Sequence, residues 1–371
     1  MGLADLLKEG TRQFTICNAC RYCEAYCAVF PAMELRTEFG KKDLVHLANL
    51  CHDCRGCYYA CMYVPPHEFA VNLPQVLSAI RVETYREYGW PRVLSRLLGG
   101  GVRSILIASV LGVLAMLGLV FAFGEPRSLL VAETGEGSLF RILPYAAMVV
   151  PFLALSGFVV IVMIGGLVTY WRETRGRLRD LLDREALGGA AADALGLRYL
   201  NDTGDGCYYP TEVAAHGRRI LHHLVFYGFL LDVLSTTSAA FLHNILGIHP
   251  PYPYLSLPVV SGTVGGIGLI VGTFGLLRLK WRSDPRPAHQ KMVSKDYAFL
   301  TSLNIVSVSG MLTLMLRETA FLGPILVFHL GTVVAFFLAM PYGKFVHFVY
   351  RYAALVQHRL ETRADELAQT R

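Results

Sequence analysis

Charge is scarce in this chain: Asp, Glu, Lys and Arg together make up 17% of its 371 residues, against 54% hydrophobic residues. That is too little charge to cover an ordinary soluble protein of this length. A secretory start is not expected, because Asp5, Lys8 and Glu9 interrupt any apolar stretch before the first cysteine; a disulfide framework is excluded with it and a reducing compartment is expected for the cysteines. A dinucleotide fingerprint is also lacking. Gly262, Gly265, Gly266, Gly268, Gly272 and Gly275 lie within an apolar run, where small residues serve close helix packing. No flavin or nucleotide site of its own is expected, and no nucleic-acid-binding or kinase-like segment is visible.

What is present is a repeated cysteine pattern. Cys17, Cys20, Cys23 and Cys27, then Cys51, Cys54, Cys57 and Cys61, form two copies of C-x2-C-x2-C-x3-C and use eight of nine cysteines. Three thiolates spaced by two residues can curl around one iron-sulfur cubane, while the fourth points away to a second one. The expected ligand sets are therefore crossed: Cys17, Cys20, Cys23 and Cys61 for one [4Fe-4S] cluster, and Cys51, Cys54, Cys57 and Cys27 for the other. A zinc ribbon needs only two C-x2-C pairs and would leave ligands idle. Between the runs, the apolar residues of 32–50 suit one or two short helices. The domain is thus a helical ferredoxin-like one, expected over residues 1–98.

From residue 99 the apolar excess gathers into stretches that reach the roughly 20 residues needed to cross a bilayer as a helix. Six are expected, at about 102–123, 142–170, 220–242, 255–279, 297–316 and 323–348, so that 99–371 forms a six-span membrane domain. The fold class is all-α. Basic residues crowd alternate loops: Arg172, Arg175, Arg177, Arg179, Arg184, Arg198, Arg218 and Arg219 in one, and Lys280, Arg282, Arg286, Lys291 and Lys295 in another. The opposite loops are nearly bare. By the positive-inside rule both termini and the cysteine domain face the cytoplasm of a bacterial-type inner membrane. The net charge of +6 is largely this signal, and nucleic acid is not an expected partner. The tail from Arg351 to Arg371 reads as a short charged helix at most.

Depth sorts the twelve histidines. His46, His52, His67, His216, His289 and His358 fall outside the spans, and surface or local hydrogen-bonding roles are expected for them. Ionisable groups within spans are functional by default. His329 and His347, 18 residues apart, would share one face of a single helix and stand about 27 Å apart along it, one near each membrane surface. His222 and His243 lie on the third span. Antiparallel running of the spans pairs His222 with His347 and His243 with His329, each pair a bis-imidazole site for haem b. His223 is the weaker inner candidate, and one or two haems follow according to whether His243 serves. Pro341 is the point at which a kink would disturb this register.

The segments CYYACMYVPPHEFAVNLP (57–74), GDGCYYP (204–210) and RRILHHLVFYG (218–228), together with the double cysteine motif, resemble the tricarballylate- or citrate-utilisation B family over nearly the whole chain. FHLGTVVAFFLAMPYGKFVHF (328–348) is locally similar to the last span of the haem-carrying gamma subunit of respiratory nitrate reductases. The family resemblance implies a membrane electron-transfer subunit that reoxidises a cytoplasmic FAD-dependent dehydrogenase of a tricarboxylate and passes the electrons to quinone. Cys207, in the second segment, is expected in a turn because Asn201–Gly206 is dense in turn formers; lining a docking surface or a quinone pocket is its other reading. A self-contained cluster-based reductase of disulfides or metals, or a redox sensor, are the alternative functions.

Overall fold

A computed structural model describes residues 2–174, 176–201, 204 and 206–369; Arg175 of the basic loop, Asp205 of the GDGCYYP segment and the terminal Arg371 lie outside the described residues. The chain is all-α apart from one short antiparallel pair. The N-terminal region contains α1 (Leu3–Cys20), α2 (Val29–Glu34), α3 (Lys41–Leu50), α4 (Gly56–Tyr59), α5 (Leu73–Tyr88) and α6 (Arg92–Leu98). Helices α2 and α3 fill the stretch between the cysteine runs, as its apolar pattern predicts. α5 starts where Asn72 accepts a hydrogen bond from the Gln75 amide and Pro74 occupies the first turn, both being start signals with a physical cause.

Six helices are long and apolar enough to cross a membrane: α7 (Val102–Phe123), α9 (Tyr145–Glu173), α11 (Gly217–Leu246), α12 (Leu257–Trp281), α13 (Gln290–Met315) and α14 (Leu322–Ala339). Short α8 (Ser138–Ile142) and α10 (Arg184–Leu195) lie in the connections on either side of α9, β1 (Cys207–Tyr208) pairs with β2 (Ala214–Ala215) before α11, and α15 (His347–Gln369) ends the chain. The spans keep Leu106, Val110, Leu111, Leu114 and Phe121 outward, as lipid contact permits. Their contacts with one another rest on small residues. A Cβ on Gly265 would meet the Gly228 carbonyl at 2.7 Å, and one on Gly112 would meet that of Gly331 at 2.3 Å. The glycines of the fourth span are therefore helix-packing residues, as read from the sequence.

The sixth span departs from the expected 323–348. α14 stops at Ala339, and a turn over 340–346 separates it from α15, which begins at His347. Pro341 supplies no amide hydrogen and its ring obstructs the preceding turn, while the Tyr342 and Gly343 amides turn back to the Ala339 carbonyl at 3.1 and 2.7 Å. His329 and His347 consequently sit on different helices, and their common face on a single helix is withdrawn.

The C-terminal helix also differs from a short charged tail. α15 has 23 residues, and it buries Tyr350, Ala353, Ala354, Leu355 and Val356 in one core with α1, α3, α5, the end of α9, and α10. Ion pairs fasten it: Arg36 to Glu361 at 2.6 Å and Arg359 to Asp193 at 2.6 Å. The ferredoxin-like region is thus completed by residues more than 300 positions later, at the end of the bundle where α9, α12 and α14 finish.

Two outcomes follow. Gly265→Leu forces α11 from α12 and costs about 1–3 kcal/mol as overpacking does, read as a lower unfolding temperature in detergent. Burial would raise the Glu361 carboxyl, but His46 and Arg36 hold it down to about 2. Its contribution is complete above its ordinary 4.5 and is lost as pH falls towards 2. Glu361→Ala should cost about 1 kcal/mol, discounted for partial exposure, with the loss shrinking as the buffer is acidified.

Candidate electron-transfer site

The eight clustered cysteines are carried by the ends of short helices and the turns between them, which bring thiols of one run beside those of the other. Cys17, Cys20, Cys23, Cys57 and Cys61 line one cavity, closed on its apolar side by Phe30, Tyr58, Val71 and Leu73. Burial pushes the Cys17 thiol up to about 12, helped by Cys61, Cys23 and Cys20. Cys57 is raised well above the usual thiol range by burial and then by Cys54, Cys27 and Cys51. Cys61 thus neighbours thiols of the first run and Cys57 neighbours thiols of both, Cys27 and Cys23 among them, while also lining the first cavity. Such thiols are protonated when alone and give up their protons only to a metal centre. Among the described residues, no three His, Cys, Asp or Glu side chains gather at the separation that one metal ion requires; five of the eight thiols line one cavity, a donor type that iron-sulfur groups use.

The second run is held by buried cations. The Arg81 guanidinium, 2% exposed, donates to the carbonyls of Ala48 at 2.7 Å and Cys51 at 2.5 Å. Arg351 donates to Cys51 O at 2.7 Å, and Arg218 donates to Asp53 O at 2.5 Å and His52 O at 3.1 Å. Arg55 is buried as well; it donates to Asp284 O at 3.0 Å and lies over the Tyr209 ring at 4.5 Å. Cys207 is also buried, its thiol 3.3 Å from Leu200 O, and the next amide donates to Cys54 O at 2.9 Å. The GDGCYYP segment is therefore packed directly on the second cysteine run. His46 and His52 are buried as well, contrary to a surface role; the His52 ring bonds Leu50 O at 2.7 Å.

One turn beyond these arginines stand two of the candidate histidines. His222 follows Arg218 by four residues on α11, and His347 precedes Arg351 by four on α15. Their ring centres are 6.3 Å apart with planes at 76°. Two imidazoles on opposite sides of one metal, each bonded at about 2 Å, have centres roughly 6 Å apart. His347 Nδ1 is 2.7 Å from the Lys344 carbonyl, which fixes the ring and leaves Nε2 for a metal. Burial, with Arg351 and Lys344 beside it, drives His347 well below the usual imidazole range, the neutral form that ligates. The two rings therefore stand at the separation that one metal held between two imidazoles requires.

The remaining candidates are dispersed. His223 faces Tyr227, at 5.8 Å between ring centres. His243 meets Tyr145 at 3.9 Å, His249 at 4.7 Å and Phe140 at 5.1 Å. His329 is 3.0 Å from the Ser309 hydroxyl and packs on Gly310. Among the described residues no ring contact joins His243 to His329. Sequence reasoning missed Arg81, Arg218 and Arg351 as a group: Arg218 is read first as a topology signal, Arg81 carries no local signal, and the sequence trace of Arg218 and Arg351 is their four-residue offset from a histidine.

An N-terminal ferredoxin-like domain seated on six membrane-crossing helices defines a multi-span membrane protein with an iron-sulfur head. Residues 10–87 match the family model described as citrate utilization protein B Fer4-like domain, and residues 99–368 match that of citrate utilization protein B. The chain is 39% identical to the citrate utilization protein B of Escherichia coli over 362 residues, 97% of this chain and 94% of that protein. It belongs to the citrate utilization protein B family. No solved structure matches it.

Arg81→Met leaves the Ala48 carbonyl without its guanidinium partner and Cys51 O with Arg351 alone, a loss of about 1.5–3 kcal/mol for bonds to a charged donor. Hydrogen exchange over 48–55 should rise while that of the spans is unchanged.

Proposed function

We propose that this protein is a membrane electron-transfer subunit that takes electrons from a cytoplasmic FAD-dependent dehydrogenase and delivers them to the quinone pool. The observation that carries the reading is the continuous placement of the second cysteine run, Arg351 and Arg218, and the His222–His347 pair within one partly buried region. The crossed ligand sets, Cys17, Cys20, Cys23 with Cys61 and Cys51, Cys54, Cys57 with Cys27, would hold two [4Fe-4S] clusters; His222 and His347 would hold a haem b at the same end of the bundle. Bound there, these groups supply one-electron steps that split the two-electron oxidation of a flavin.

The chain's own residues do the rest. Arg81, Arg218 and Arg351 put positive charge beside the second cluster set and favour its reduced state. The Lys344 carbonyl orients His347. Cys20 and Tyr22 are exposed at the rim of the first thiol cavity, which suits it to receive electrons from a docked protein. A second haem would require His243 to leave Tyr145 and His249 and approach His329, so the inner pair is the site assigned. Orientation with this head in the cytoplasm of an inner membrane rests on the basic loops. The partner's substrate, citrate or tricarballylate, rests on family membership.

The test is anaerobic spectroscopy of the purified chain. Expected are about eight irons and eight sulfides per chain, one haem b, and reoxidation of the dithionite-reduced haem by a quinone analogue. His347→Ala should abolish the haem bands, and Cys61→Ser should perturb one cluster signal while Cys27→Ser perturbs the other. Haem absent from the wild-type chain, or reduced haem indifferent to quinone, would favour a self-contained cluster-based reductase instead.

A further inference from the structure

At the domain-bearing end of the bundle, a cleft opens between the α6–α7 junction, α13, the end of α14 and the turn that follows it. Its base encloses about 30 Å³, room for one water, and from there it opens outwards to the surroundings, so a ring reaches it only from the open side. The walls are apolar and aromatic: Ile105, Ala298, Phe299, Phe336 and Phe345, with the last three rings packed on one another at about 6 Å between centres. Leu97 and Leu106, adjoining the lining residues in the chain, are exposed and continue the apolar surface outwards.

Into this cleft projects Lys295, 7% exposed. Its only hydrogen bond among the described residues is a long one, 3.4 Å to Tyr342 O. The neighbouring cations are neutralised and it is not. Asp296 pairs with Lys280 at 2.7 Å and with Lys344 at 2.9 Å, and Glu83 pairs with Lys291 at 3.1 Å. No carboxylate lies within ion-pair distance of Lys295 among the described residues. A buried ammonium of this kind is costly unless something else accepts its hydrogens. Lys344, which lines the same cleft, gives its carbonyl to His347, so one wall of the cleft is continuous with the inner histidine pair.

We infer that this cleft is the quinone site, with the quinone ring beside Phe299 and Phe336 and one quinone carbonyl accepting a hydrogen bond from the Lys295 ammonium. This assignment rests on the proposed delivery of electrons to quinone and names where it happens. Reduction consumes two electrons, drawn one at a time through the clusters and haem from the partner's reduced flavin, and two protons. One proton leaves Lys295 for the quinone oxygen and is replaced from water at the same membrane surface; the other enters from that water directly. The product is the quinol, and no other group is oxidised.

The experiment uses the full chain, loaded with its cofactors, in lipid nanodiscs. An azidoquinone photoprobe should label peptides within 95–106, 290–303 and 336–346, with the labelling suppressed by an unmodified short-chain quinone. Lys295→Met should raise the KM for that quinone about tenfold or more, the equivalent of one charged hydrogen bond, with the reduced haem and cluster spectra unchanged; Lys291→Met, on the same helix but surface-paired, should not. Ala298→Phe, which fills the cleft without touching a charge, should raise the KM likewise and covers the case in which Lys295→Met does not fold. Labelling confined to other peptides, or unaltered quinone kinetics in both cleft variants, overturns the assignment while leaving the proposed function intact. A wild-type chain whose reduced haem no quinone reoxidises overturns both.

Discussion

Two arginines tie the parts of this molecule together. Arg218 and Arg351 each stand one helical turn from a candidate histidine and donate to the backbone of 51–53. A helix that moved by a single residue would carry histidine and arginine away together, so the separation of the second thiol set from the His222–His347 pair is fixed by the pitch of two helices. Guanidinium groups suit this role better than lysine, because a planar fork can hold two carbonyls at once and remain charged when buried. The cost of partly burying them is offset by those carbonyls.

The same region explains why the polar loops of the bundle are not loose. Tyr59 donates to the Asp284 carboxylate at 2.9 Å, Asn72 to Arg286 O at 2.9 Å, and the Tyr208 amide to Cys54 O at 2.9 Å. The loops between α9 and α11 and between α12 and α13 therefore grip the cysteine domain from two sides. Hydrogen bonds of this kind add to the apolar core where the domain meets the membrane end.

Sequence alone reveals the elements whose signal is local. The double cysteine pattern, the five uninterrupted spans and the glycines of the fourth span are each set by spacing or composition within some 30 residues, and their structural counterparts lie where that spacing puts them. The sixth span is misjudged because apolar composition continues through Pro341 and Gly343 while the backbone cannot. Arg81, Lys295 and His52 escape notice for another reason: burial is decided by residues far away in the chain. The docking of Cys207 beside Cys54 is likewise a contact between positions about 150 apart, for which a single sequence holds no signal. His222 and His347 are legible as candidates, yet their closeness depends on a helix break that makes the original argument for it invalid.

The sharing of one core by the first and last helices has a consequence for biosynthesis. Phe14, Leu44 and Ile80 wait for Tyr350, Ala354 and Leu355 to complete their packing, and those residues leave the ribosome only after all six spans. The cysteine domain, though translated first, cannot close as a unit during synthesis in the manner of an ordinary N-terminal domain. A chain cut short after the sixth span would therefore lack part of the core at its opposite end.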